Sequence, residues 1–201
     1  PALPGFHALE IRPNGGPPSV QRRFDRRRRL RYSSAVNASA SPELYPLRFR
    51  PVYRDYVWGG TRIVSTFHRN APPGIYAESW EISSRPDGMS VADNGAWAGH
   101  PLSEIIEALG PRLLGRRAPA DRPSFPLLIK LIDSRERLSV QVHPNEAAAA
   151  RYGGEAKTEM WYILDAAPNA RVFAGLRPGA DRRALEEALR RGDLESVLAA
   201  V

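Results

Sequence analysis

From Tyr45 onward, glycine and proline cut the chain into apolar runs of strand length, and this punctuation limits what it can fold into. The runs "LRFRPVY", "YAESWEISS", "GMSVAD", "FPLLIKLID", "LSVQV", "EMWYILD" and "ARVFAGL" predict strands. Helical spacing is confined to a few places. "LSEIIEALG" stops at Gly110, and the alanine-rich "NEAAAARYGG" stops at a glycine pair. "GADRRALEEALRRG" offers Asp181 as a cap, Leu185 and Leu189 four apart, and Gly192 as its stop, and "DLESVLAA" predicts a last helical turn or two. Many strands with a few helices between them imply a mainly β fold, a sandwich or barrel carrying helical insertions. No internal repeat is present. No glycine-rich phosphate loop is present either, since "YGGEAKT" has neither the P-loop nor the dinucleotide spacing.

The first 44 residues have a different composition. They hold eight arginines against Glu10, Asp25 and Glu43, which accounts for +5 of the net charge of +7. With proline and glycine at the ends, a Ser/Ala stretch and no sustained hydrophobic period, residues 1–44 are expected to be a disordered leader outside any core. A transit-like segment, a nucleic-acid-binding arm and translated sequence without a role are its possible readings. Nucleic acid is disfavoured, because no aromatic-interleaved or helix-turn-helix pattern accompanies the arginines. No run reaches the roughly 18 apolar residues of a membrane helix, so a membrane-spanning role is excluded. Pro1 in place of a methionine suggests an incomplete front end.

The chain has no cysteine, so a bound metal would have to be held by nitrogen and oxygen. In a strand, Ser139, Gln141 and His143 share one face, opposite Leu138, Val140 and Val142. A solvent-facing edge would show the same alternation, but hydroxyl, amide and imidazole suit coordination. Lys130 shares its face with Leu128 and Ile132, so either its stem snorkels to water or its ammonium meets an anion. Of 29 basic residues only Lys130 and Lys157 are lysines, and both lie in segments next to this polar set. Glu159 follows His143 by sixteen positions, too many for one helix face, and adjacent strands would have to bring the two together. Such donors are compatible with zinc, and equally with manganese, cobalt or iron.

In order and spacing, "YVWGG", "YAESWEIS", "FPLLIKLID", "LSVQVHPNE" and "AKTEMWYIL" resemble the class I mannose-6-phosphate isomerases of the cupin superfamily, from about Tyr45 to Val201. The resemblance implies a cupin-like jelly-roll domain over residues 45–201, incomplete at its C-terminus. It implies one zinc ion per chain, held by Gln141, His143 and Glu159. It also implies a later histidine, in a P-x-G-x-x-H motif, and an arginine beyond it, and the sequence reaches Val201 before either. Lys157 is the implied catalytic residue near the reacting oxygens, Lys130 and Ser139 the implied partners of the sugar phosphate, and Trp58 and Glu78 the implied lining of the pocket. The expected activity is zinc-dependent interconversion of mannose 6-phosphate and fructose 6-phosphate in the cytoplasm, with the 201-residue chain a fragment of weak zinc affinity and negligible turnover of its own. The alternative is a non-catalytic cupin-type protein that binds a metal or a sugar phosphate.

Overall fold

Apolar side chains at Leu128, Ile132 and, between them, the lysine Lys130 point to one face of the run "LLIKLIDS", and all three are buried. The computed structural model describes the backbone of residues 6–13 and all of residues 43–117 and 124–201. Its strands are β1 (Phe6–Pro13), β2 (Phe49–Arg50), β3 (Val52–Arg54), β4 (Glu78–Ile82), β5 (Val91–Ala92), β6 (Leu127–Ser134), β7 (Met160–Ala166), β8 (Phe173–Leu176) and β9 (Leu198–Ala200). Its helices are α1 (Arg62–Thr66), α2 (Leu102–Leu109), α3 (Pro111–Leu114), α4 (Glu146–Tyr152) and α5 (Arg182–Arg191). The main sheet has the order β3-β4-β6-β1-β7, with antiparallel pairing throughout. Two smaller antiparallel pairs, β2 with β5 and β8 with β9, accompany it. The architecture is mainly β with a few helices, as the sequence predicts, and among the described residues the sheets stay open and do not close into a barrel.

Helix α2 buries Leu102, Ile105, Ile106 and Leu109, the positions set by its helical period. Ile105 and Leu109 pack with Ala92 and Trp97 into a small core to which Tyr45, Leu47, Phe49 and Leu113 are added. Each such side chain contributes roughly 1.5–3 kcal/mol on full burial. The Tyr45 hydroxyl ties this core to the preceding turn, accepting from Trp97 N at 2.8 Å and donating to the Asn94 carbonyl at 3.0 Å.

Three expectations need correction. The run "LSVQV" is not a strand: residues 138–145 carry no regular structure. Val140 and Val142 are 45% and 89% exposed, so no buried face holds the segment in register. "DLESVLAA" forms a 3-10 turn over Leu194–Val197 and then β9, because pairing with β8 draws the last residues into a sheet. Within the leader, residues 6–13 form β1 and do not lie outside the fold. This strand lies between β6 and β7 and supplies a backbone ladder to both, pairing two strand edges at once. The rest of residues 1–42 lies outside the described residues.

Candidate functional site

The segment "WGG" seats on the sheet through backbone bonds: Gly60 N donates to the Asp133 carbonyl at 3.0 Å, and Arg135 N and Glu136 N donate to the Trp58 carbonyl at 2.9 and 3.1 Å. The two glycines are required by close approach. A Cβ on Gly59 would lie 2.6 Å from Ala77 Cα, and one on Gly60 would lie 2.4 Å from the Asp133 carboxylate. Asp133 is itself buried and accepts from Arg62 N at 2.6 Å, which fixes the start of α1. Trp58 is thereby held against Tyr56, the rings stacked at 5.6 Å with 30° between their planes.

On β4, alternation places Glu78 and Trp80 on one face. Glu78 uses both oxygens: Oε1 accepts from Lys130 Nζ and Oε2 from Trp80 Nε1, each at 2.7 Å. The lysine side chain is 1% exposed and the glutamate 9%. The sequence left Lys130 to find either water or an anion, and the anion is Glu78.

These groups line a cleft of about 410 Å³. Tyr56, Trp58, Trp80 and Leu128 give it apolar and aromatic walls, and Glu78, Lys130, Gln141 and Lys157 give it polar ones. Arg85, Asp87 and Glu155 complete it. The Arg85 guanidinium lies 3.1 Å from Glu155 Oε2 and 3.3 Å from Asp87 Oδ1. Burial pulls the Arg85 pKa down, but the bond to Glu155 and the charges of Glu155 and Asp87 outweigh it and leave the pKa raised.

His143 and Glu159 meet beside this cleft. The connection between them is α4, capped by Asn145 Oδ1, which accepts from Ala148 N at 2.9 Å, and stopped at Gly153 in the left-handed conformation with φ 71°. Lys157 N donates to the Pro144 carbonyl at 3.2 Å, which folds the returning chain back on the segment that carries His143. His143 Nε2 and Glu159 Oε2 are in direct contact. Lys157 Nζ lies 2.9 Å from that nitrogen and 3.1 Å from that oxygen. The imidazole nitrogen cannot accept from Lys157 and donate to Glu159 at once, so two donors for a cation crowd a point already contacted by a positive charge.

Of the residues singled out from the sequence, His143, Glu159 and Lys157 come together, and Trp58, Glu78, Lys130, Gln141 and Lys157 share the cleft. Gln141 donates to Ser139 Oγ at 3.1 Å, and its described bond is to that hydroxyl rather than to the His143–Glu159 contact. Among the described residues no group of three His, Cys, Asp or Glu side chains is placed to hold a metal ion. Sequence reasoning missed Tyr56, Trp80, Arg85, Asp87 and Glu155. Trp80 was legible, two residues after Glu78 on the same strand face. Arg85 and Glu155 lie in irregular segments 70 residues apart, and no local pattern marks them.

A family model described as phosphomannose isomerase type I, catalytic domain, matches residues 46–171. The chain is 37% identical over 155 residues to mannose-6-phosphate isomerase ManA of Bacillus subtilis, an alignment covering 76% of this chain and 47% of that protein. It is 35% identical over 154 residues to mannose-6-phosphate isomerase of Streptococcus mutans, covering 76% and 47% of the two. The crystal structure of the mannose 6-phosphate isomerase from Bacillus subtilis superposes with a TM-score of 0.68 at 33% identity, covering 78% of this chain and 49% of that one. The chain spans about half the length of the relatives it matches.

Proposed function

The chain belongs to the phosphomannose isomerase type I family, and on that premise we propose that its cleft takes mannose 6-phosphate and fructose 6-phosphate and interconverts them with the help of one zinc ion. The observation that carries this reading is the convergence of His143 Nε2, Glu159 Oε2 and the Lys157 ammonium on one point at the edge of the cleft. A neutral imidazole and a carboxylate are zinc donors, and their shared contact with an ammonium marks the point as one that favours positive charge. His143 and Glu159 would hold the ion, with Gln141 the further candidate from the preceding segment. When bound, zinc supplies Lewis-acid stabilisation of negative charge on the sugar oxygens.

The chain's own residues supply the rest. Isomerisation moves a proton from C2 to C1 of the open-chain sugar, while O2 loses its proton and O1 gains one. Lys157, beside the metal donors, is placed to donate to those oxygens as negative charge develops on them. Tyr56 and Trp58 offer flat apolar surfaces to the sugar, and Trp80, buried with the Arg54 guanidinium over its ring, backs the wall. Glu78 partners Lys130 inside the sheet, and Lys130 with Ser139 would meet the phosphate, Lys130 sharing its protons with Glu78. We place the domain at residues 45–201, with β1 from residues 6–13 completing its sheet, and its activity in the cytoplasm. No helix of the described residues is long and apolar enough to cross a membrane.

A second reading, a metal- or sugar-phosphate-binding domain without turnover, is favoured by the lack of a third charged or imidazole ligand among the described residues. A coupled assay for fructose 6-phosphate, run beside a titration of tryptophan emission with mannose 6-phosphate and with mannose, separates the two. Binding that prefers the phosphorylated sugar, with turnover that stops in Lys157→Ala, supports the isomerase. Binding with no turnover, when the chain is supplemented with the C-terminal half that its relatives carry, supports the binder. Equal response to both sugars contradicts the isomerase and the sugar-phosphate binder alike.

A further inference from the structure

Lys157 does not lie in a strand or a helix. It lies in the irregular connection from Gly153 to Glu159, between α4 and β7. Much of what holds this connection is local: Gly153 N and Gly154 N both donate to the Ala149 carbonyl at 3.0 Å, and Lys157 N reaches back to Pro144. These ties all run to residues 144–149, within or beside α4, and so cannot set the connection's position against the sheet. The Arg85–Glu155 ion pair is of another kind. It joins Glu155, two residues before Lys157, to the turn that follows β4, which carries Glu78 and Trp80 on the cleft's other side.

We propose that the Arg85–Glu155 ion pair is a clasp that positions Lys157, fastening the connection that bears it to the β4 side of the cleft. Arg85 and Glu155 are thus positioning residues acting through the backbone on Lys157, and through Lys157 on the His143–Glu159 pair. The proposal rests on the reading of Lys157 as the lysine at the reacting oxygens. Both partners are partly sheltered, with side chains 34% and 26% exposed, so the pair is screened less than one in open water. Asp87, on the same turn, lies 3.3 Å from Arg85 Nε, leaving an Nη to meet Glu155. The Arg85 guanidinium, like any arginine, stays charged and so keeps its attraction to Glu155.

The composition of the chain provides the test. It has two lysines: Lys130, which is 1% exposed inside the sheet, and Lys157 on the connection. A lysine-specific endoprotease therefore cuts after Lys157 when the connection loosens, and after Lys130 only when the sheet opens. The full chain and its Arg85→Ala, Glu155→Gln and doubly substituted variants are digested under native conditions. Cleavage at Lys157 is expected to run about three- to fivefold faster in either single variant, with the double variant no faster than the singles and cleavage at Lys130 unchanged. Zinc affinity, read by competition with a chromophoric chelator, is expected to rise about threefold in Arg85→Ala as the competing Lys157 ammonium loosens from the His143–Glu159 pair, and not to rise when Arg85→Ala is made on a Lys157→Ala background. Wild-type cleavage at Lys157 in Arg85→Ala overturns the proposal, as does equal acceleration at both lysines. So does unchanged zinc affinity alongside faster cleavage. If the parent protein binds no zinc, the proposed function falls, and the two cleavage rates still decide the role of the clasp.

Discussion

Lys130 is the residue at which burial and charge conflict most. Its side chain is 1% exposed where the sheet meets the cleft, and the network that links it through Glu78 to Trp80 Nε1 engages both glutamate oxygens. Removing one partner of such a pair leaves the other charge buried and uncompensated, at a cost of about 3–5 kcal/mol. Lys130→Met is therefore expected to lower the unfolding free energy by about that amount in urea, and the double variant Lys130→Met/Glu78→Gln to recover most of it, because the amide carries no charge and its oxygen still accepts from Trp80 Nε1. A loss of under 1 kcal/mol in Lys130→Met would show that the pair is not buried as described. The conflict was visible in the sequence, where a lysine interrupts "LLIKLI". The partner was not, because it lies 52 residues away and only strand pairing brings it close.

At the scale of elements, the most consequential one is α4, a seven-residue helix whose ends decide how far His143 lies from Lys157 and Glu159. Its boundaries were legible: Asn145 before the alanine run and Gly153 after it are the residue types a cap and a stop require. The segment before it has the alternation of a strand and is not one. Period-2 alternation in "LSVQVH" is a pattern any extended segment can carry, and only a partner strand makes it a strand. Replacing the cap, Asn145→Ala, frees the Ala148 N–H and is expected to cost about 1 kcal/mol in thermal or urea unfolding. If the melting temperature is unchanged, α4 is not held by its cap. The cleft's aromatic wall depends on another local feature, the glycine pair Gly59–Gly60, which the sequence displays without showing what approaches it. The structure supplies Ala77 and the Asp133 carboxylate.

At the scale of the whole molecule, the strand-rich character follows from the run lengths. The order of the sheet does not, since β1 comes from the segment read as leader and sits between β6 and β7. β7 is an edge strand that leaves Met160, Tyr162, Ile163 and Leu164 exposed, on both of its faces. The site was legible as a set of residue types, Gln141, His143, Lys157 and Glu159, and the structure adds which of them touch. The account depends on His143 and Glu159 acting as one cation site with Lys157 pressed against it. Zinc titration of the 201-residue chain by calorimetry, repeated on His143→Ala and Glu159→Gln, tests this most directly. The account predicts one zinc per chain, at least tenfold weaker binding in either variant, and tighter binding in Lys157→Ala, where the competing ammonium is gone. Zinc binding that is absent from the parent chain, or that both His143→Ala and Glu159→Gln leave unchanged, would contradict it.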